Sequence, residues 1–240
     1  MKLNILFDNA DYRAFAKPSG LLTIADRYHP EIPNLVTMAR QKSGSLFVVH
    51  RLDKDTSGIV CFAKNEAAHR HLSQCFENRE ITKYYQAIVT GTPYQMKDSI
   101  RKPITHDPVN KGRMLVALKG KEARTDYEVL ESWKHFSLLN IQLFTGRTHQ
   151  IRVHLKDIGH PVVADPFYGD GQPFLLSSVK RKYRLSDDEL EERPVLGRLA
   201  LHATALTFKD EKGEVIHIQS PLPKDMQAMV KLLAKWDRPD

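Results

Sequence analysis

The sequence predicts an α+β fold, a mixed and largely antiparallel sheet flanked by helices, in one domain spanning residues 1–240. Three observations predict it. Segments with strand patterning outnumber helical ones and do not alternate with them regularly, which argues against a doubly wound parallel sheet. The composition, 41% hydrophobic and 27% charged, is that of an ordinary globular chain. No internal repeat, low-complexity tract or linker interrupts the 240 residues, a length that buries about 70–75% of the unfolded surface without a disulfide or metal staple.

In chain order, LNILFDNADYRAFAKPSG alternates apolar and polar side chains as two short strands and stops at Lys17-Pro18-Ser19-Gly20, a turn signal. An irregular segment through Pro30 and Pro33 leads to a short helix over Asn34–Ser43. Ser45–Val49 is a β-rich run ending at His50, and Ile59–Ala63 is a second apolar strand. Asn65 is a good N-cap for a helix whose Ala68, Leu72, Cys75 and Phe76 share one face. Lys83–Thr90 is a strand closed by Gly91-Thr92-Pro93, and Leu138–Phe144 a strand that meets Thr145-Gly146-Arg147. Thr148 then caps a helix with Ile151, Leu155 and Ile158 inward and His149, Arg152 and Lys156 on another face, ended by Gly159. A strand over Leu199–Phe208, a turn at Lys212-Gly213, a strand over Glu214–Gln219 and a helix opened by Pro223 complete the order. That last helix carries Met226, Met229, Val230, Leu233 and Trp236 on its apolar side.

The charge balance, 36 Lys and Arg against 29 Asp and Glu, leaves +7. This is compatible with a nucleic-acid partner without proving one. Its distribution is more informative. Lys97, Arg101, Lys102, Lys111, Arg113, Lys119, Lys121 and Arg124 face only Asp98, Asp107 and Glu122, so 97–124 is a candidate phosphate-facing surface, with Arg101, Lys111 and Arg113 as its foremost contacts. The Lys180-Arg181-Lys182 run is nearly cancelled by Asp187, Asp188, Glu189, Glu191 and Glu192 and reads as a solvated loop and helix. No apolar run reaches the 18 residues of a membrane span, and Asp8 and Asp11 interrupt any secretory signal. Cys61 and Cys75 have no zinc-type companions, which suits a reducing compartment and buried thiols. The expected address is the cytoplasm.

The densest chemistry lies in His50-Arg51-Leu52-Asp53-Lys54-Asp55-Thr56-Ser57-Gly58. As a calcium loop it fails, because position 12 is Lys64 where a bidentate carboxylate is required. As the nucleophile loop of a magnesium-dependent phosphotransferase of haloacid-dehalogenase type it lacks regular strand–helix alternation, and Asp187-Asp188 is a poor metal pair. A plain polar turn is the third possibility. The fourth takes Asp53 as a nucleophile at a strand end, and here a family resemblance enters. HRLDKDTSG resembles the H-R-L-D-x-x-T-S-G signature of the RluA-type RNA pseudouridine synthases. Lys17-Pro18-Ser19-Gly20 is similar to the family's K-P-x-G turn, Lys83-Tyr84-Tyr85-Gln86-Ala87 to its K-x-Y-x-A strand, and Gly146–Arg152 to its G-R-x-H-Q-[IL]-R segment. Gly159-His160-Pro161 with Asp165, and Leu201-His202-Ala203, match its smaller late motifs, all in the family's order.

The resemblance implies an isomerase that breaks the N1–C1′ bond of uridine, rotates the base and joins C5 to C1′, with no cofactor and no metal. It implies that Asp53 attacks C1′ of the ribose or C6 of the ring, that Arg152 holds the Asp53 carboxylate charged, and that Tyr85 stacks on or hydrogen-bonds the uracil. Flipping the nucleotide costs a few kcal/mol, and Arg51 would fill the gap it leaves. His50, Thr56, Arg147, His149 and Gln150 line the substrate site on the same motifs, with His50 shaping the loop rather than reacting. His149 and His154, five apart with no carboxylate or cysteine beside them, do not make a metal site. The partner expected is RNA, ribosomal before transfer RNA, with no membrane, and the chain is expected to be a monomer. Asp53 lies too near the start of the sequence for an N-terminal RNA-binding domain of the S4 type. The rival from another class is an RNA-binding or chaperone protein of the same fold, which would have no chemical need for Asp53, Tyr85 and Arg152 together.

Overall fold

The computed structural model describes residues 3–185 and 190–239. Its strands are β1 (Asn4–Asp8), β2 (Tyr12–Lys17), β3 (Phe47–Val48), β4 (Ser57–Ala63), β5 (Thr82–Thr90), β6 (Lys97–Ile100), β7 (Ile104–His106), β8 (Met114–Val116), β9 (Thr125–Ser132), β10 (Phe136–Leu143), β11 (Leu201–Lys209) and β12 (Val215–Gln219). The helices are α1 (Leu35–Ser43), α2 (Glu66–Glu77), α3 (Gln150–Asp157) and α4 (Lys224–Trp236). Pairing is antiparallel throughout the described ladders except where β11 runs parallel to β4, so the fold class is the α+β, mixed and largely antiparallel sheet that the sequence predicts. The chain divides into two compact units, 1–85 with 202–221, and 86–201 with 222–240.

In the first unit β4 is the spine. All seven of its residues are buried, which is why Ile59–Ala63 reads as a continuous apolar run rather than an alternating one. β2 pairs with it antiparallel from Tyr12↔Ala63 to Lys17↔Gly58. β3 joins it at Phe47↔Ala63 and β11 at His202↔Ser57 and Ala203↔Gly58, the latter parallel. Helix α2 starts where expected, because the Asn65 side chain accepts the Ala68 N–H at 2.9 Å, and it lays Ala68, Leu72 and Cys75 on a core of Tyr12, Ile59, Cys61, Phe208 and Ile218.

In the second unit β10, β9 and β6 form an antiparallel ladder, and β7 and β8 form a separate hairpin. Ile104 and Met114 of that hairpin share a core with Val153 of α3, Ala123 and Tyr168. Stretch 97–124 is therefore more ordered than a basic surface segment, since three strands run through it. The other difference is at α3. Thr148 is not its cap. His149 takes that position in the left-handed region (φ 54°) without a capping side-chain bond, and Gln150 through Leu155 are all buried. The face that the sequence assigns to His149, Arg152 and Lys156 is thus not a surface at Arg152. The C-terminal end follows expectation: Gly159, at φ 87°, donates to the Lys156 carbonyl and His160 to that of Leu155, a Schellman closure. The acidic stretch read as part of a helix, with Asp187, Asp188 and Glu189, lies outside the described residues. No helix among the described residues is long and apolar enough to cross a membrane.

Candidate active site

Asp53 is half-buried in the loop between β3 and β4, and nearly everything that fixes this loop is main chain. Lys17 is 1% exposed, and its ammonium donates to the carbonyls of Pro18 (3.1 Å), Leu21 (2.7 Å) and Lys54 (2.9 Å). Gly20 N–H donates to the same Lys54 carbonyl, and the Ser19 hydroxyl to that of Asp55 at 2.6 Å. Thr23 Oγ1 donates to the Leu52 carbonyl and accepts the Leu52 N–H. The Lys17-Pro18-Ser19-Gly20 turn is thus a clamp on the residues flanking Asp53. A buried ammonium is tolerable here because three carbonyl dipoles replace its water.

The loop's far end is held by a tight joint. Ser57 Oγ lies 2.8 Å from His202 Nδ1, whose Nε2 lies 3.1 Å from Ser220 Oγ, and all three side chains are buried. Next to it, a Cβ on Gly58 would lie 2.3 Å from the Ala203 carbonyl oxygen, so only glycine lets the two backbones approach. The Thr-Ser-Gly and Leu-His-Ala motifs are two halves of one contact.

Other predicted residues gather around this loop. Tyr85 is buried at the end of the unit's share of β5, and burial, with the negative charge of Asp53 behind it, raises its phenol well above the usual range. It is a neutral O–H at any working pH. Thr56 is buried, and its N–H closes a turn on the Asp53 carbonyl at 3.2 Å. Arg51 is exposed, as a residue that enters an RNA would have to be. His50 accepts the Cys61 N–H on Nε2 at 3.0 Å and stacks on Phe76 at 4.9 Å. Burial, and then the charge of Lys83, pushes its imidazole down to about 3. It is a neutral loop-shaping residue. Lys83 itself is brought down to about 8 by burial.

The remaining predicted residues lie in the second unit. Gln150 is 2% exposed, and its amide is fully used: Oε1 accepts from Thr145 Oγ1 (2.7 Å) and the Arg147 N–H (3.1 Å), while Nε2 donates to the Arg124 carbonyl (2.9 Å) and Thr125 Oγ1 (3.0 Å). Those four bonds engage the whole amide, so Gln150 organises the Thr145–Arg147 turn. Arg147 is half-buried and donates from Nε to the Glu122 carbonyl. Arg152 is 2% exposed and grips Asp165, itself 0% exposed, by two bonds of 2.7 Å. Its guanidinium carbon lies 5.2 Å and 5.1 Å from the Phe167 and Tyr168 ring centres. His149 Nδ1 is 2.9 Å from the Tyr168 hydroxyl, which also accepts the Met114 N–H. Arg113 reaches this cluster, 5.5 Å over Phe167, whereas Arg101 and Lys111 are exposed. His154 bonds Thr125 and the Lys102 carbonyl, and among the described residues no three His, Cys, Asp or Glu side chains converge as metal ligands.

Sequence reasoning did not single out Lys17, Asp165, Phe167 or Tyr168 as parts of this machinery. Lys17 and Asp165 carried a signal, as fixed letters of short motifs. Their part becomes visible only when the carbonyls and the guanidinium they hold are seen.

The family profile described as RNA pseudouridylate synthase matches residues 11–157. The chain is 37% identical over 238 residues to the ribosomal large subunit pseudouridine synthase D of Nitrosomonas europaea, covering 96% of this chain and 65% of that protein. It is 34% identical over 244 residues to the uncharacterized RNA pseudouridine synthase YlyB of Bacillus subtilis, covering 98% and 74%. Among solved structures, human RNA pseudouridylate synthase domain containing 4 aligns with a TM-score of 0.73 at 25% identity, over 96% of this chain and 93% of that one. The chain therefore spans about two thirds of the length of the curated relatives it matches.

Proposed function

Since the chain belongs to the RNA pseudouridylate synthase family, we propose that it isomerises uridine to pseudouridine in structured RNA, with Asp53 as the nucleophile. The observation that carries this reading is the build of the Asp53 loop. A carboxylate is held half-buried at a strand end by side-chain donors that clamp the carbonyls beside it, with a neutral tyrosine inside its field. An ordinary aspartate is ionised at neutral pH and ready to attack C1′ or C6. The reaction needs no net proton: N1 gains the hydrogen that C5 loses. Tyr85, kept as a phenol, is fitted to stack on the uracil and to hydrogen-bond it. Arg51 takes the space left by the flipped nucleotide, and Arg152 supplies positive charge to the reaction. Ribosomal RNA is the favoured substrate, supported by the likeness to the ribosomal large subunit pseudouridine synthase of Nitrosomonas europaea.

The experiment is pseudouridine mapping across ribosomal and transfer RNA from a strain lacking the protein, complemented with wild type or Asp53→Asn. One or more ribosomal sites should vanish, return with wild type and stay absent with the variant. In purified form Asp53→Asn should bind RNA as well as wild type, because removing a negative charge near phosphate cannot weaken attraction. Turnover above about one-thousandth of wild type, roughly 4 kcal/mol of barrier, would overturn the nucleophile assignment.

We assign the basic stretch 97–124 to the RNA backbone. Arg101, Lys111 and Arg113 replaced together by alanine should flatten the log–log salt dependence of affinity by about 2 to 3, at roughly 0.7–0.9 per phosphate contact. An unchanged slope puts the RNA elsewhere.

A further inference from the structure

We infer that Asp165 is a positioning residue for Arg152, a part that neither the family profile nor the relatives' names assign. The inference rests on the reading of Arg152 as a cation the reaction uses. Asp165 spends both carboxylate oxygens on fixed donors. Oδ2 accepts Arg152 Nε, and Oδ1 accepts Arg152 Nη2 together with the N–H groups of Phe167 (2.9 Å) and Tyr168 (3.1 Å). The carboxylate takes four donors, three of them crowded on Oδ1. The same carboxylate thus sets the guanidinium plane and the turn that carries the two aromatic rings lying about it. Because the fork consumes Nε and Nη2, the Nη1 edge is the part of Arg152 that Asp165 does not occupy.

A buried ion pair is a poor way to stabilise a fold, since apolar residues of like volume often do as well or better. It is a good way to keep an arginine charged, dry and in one orientation. Lysine could not take the place of Arg152, because a point charge has no fork to register against a carboxylate.

Two experiments test this on the full chain, using single-turnover rates at saturating enzyme and RNA affinity measured in parallel. Asp165→Glu keeps the charge and shifts the fork by one methylene. It should lower the rate at least tenfold with affinity within twofold of wild type. Folded Asp165→Glu at the wild-type rate overturns the proposal.

The second experiment removes the dependence on that variant's folding. Arg152→Ala leaves Asp165 facing a guanidinium-sized gap, and the double variant Arg152→Ala/Asp165→Ala leaves the gap without its carboxylate. Added methylguanidinium should restore the rate of Arg152→Ala at least tenfold and leave the double variant unmoved. Equal rescue of both, or of neither, counts against Asp165 as the positioning group. If Arg152→Ala alone runs at the wild-type rate, the reading of Arg152 falls first and leaves nothing to position.

Discussion

The segment around Asp53 and the segment around Arg152 solve opposite problems by opposite means. Asp53, the proposed nucleophile, sits half-buried on a loop whose carbonyls are held by a hydroxyl and a buried ammonium. Arg152 is buried in a helix, and it is fixed by a counter-charge in direct contact. In the first case Lys17's ammonium binds the carbonyl dipoles of Pro18, Leu21 and Lys54. In the second the scaffold is itself an ion. The loop of the proposed nucleophile is pinned through its carbonyls, while the proposed cation is oriented by a carboxylate.

The comparison can be broken hardest at Gly58. Gly58→Ala places a methyl 2.3 Å from a backbone oxygen at a residue with φ 119°. Overpacking and the disfavoured φ together should cost about 3–5 kcal/mol. A denaturant midpoint unchanged from wild type would show that the β4–β11 joint is slack.

Lys17→Met comes next. It leaves the carbonyls of Pro18, Leu21 and Lys54 without their shared donor, a loss of about 2–3 kcal/mol by urea unfolding. Because the clamp holds the chain on the C-terminal side of Asp53, the single-turnover rate should fall at least tenfold in protein that is still folded at low temperature. A rate that follows only the folded fraction would make Lys17 a stabiliser and nothing more.

The smallest effect is a pH dependence. His50 is pushed from 6.5 to about 3 in the fold, so the unfolded chain binds the extra proton between those values. Stability is therefore lost as pH falls from 6.5 towards 3. His50→Gln, whose amide oxygen can accept the Cys61 N–H without titrating, should flatten that limb. Between pH 7 and pH 4.5 the difference in stability loss should be about 1–2 kcal/mol, allowing for the partial exposure of the ring. Parallel losses in both proteins would show that His50 does not report the acid limb. Lys83, brought down to about 8, acts in a separate window and adds stability as pH rises from 8 to 10.5.

Much of the fold was legible because its signals are local. Asn65 caps α2, Gly159 closes α3, and β4 reads as a fully buried strand. What was not legible has two physical causes. Strands β6, β7 and β8 are only three or four residues long, so no period can establish itself over them. β9 does alternate, with Thr125, Tyr127 and Val129 buried, but a basic stretch before it draws attention to charge instead. The second cause is polar burial. A hydrophobic period places Gln150, Arg152 and His154 outward on α3, whereas hydrogen bonds let all three be interior. The Asp53 loop was recognisable from its letters, and Asp165 stood in a recognised motif without a partner. Partners of that kind are set by tertiary approach and leave no period in the chain.

The parallel contact of Ser57-Gly58 with His202-Ala203 also sets an order in time. It joins residues 145 positions apart, and long-range pairings of this kind are the slow ones to form. During synthesis the Asp53 loop can gather its clamp from residues 17–23 early, since those are already outside the ribosome. Gly58 can pair with Lys17 of β2 early, but its parallel partner arrives only when residue 203 has emerged, at about 5–20 residues per second. A nascent chain therefore holds the Asp53 loop for about 7 to 30 seconds before the strand that closes its far end exists.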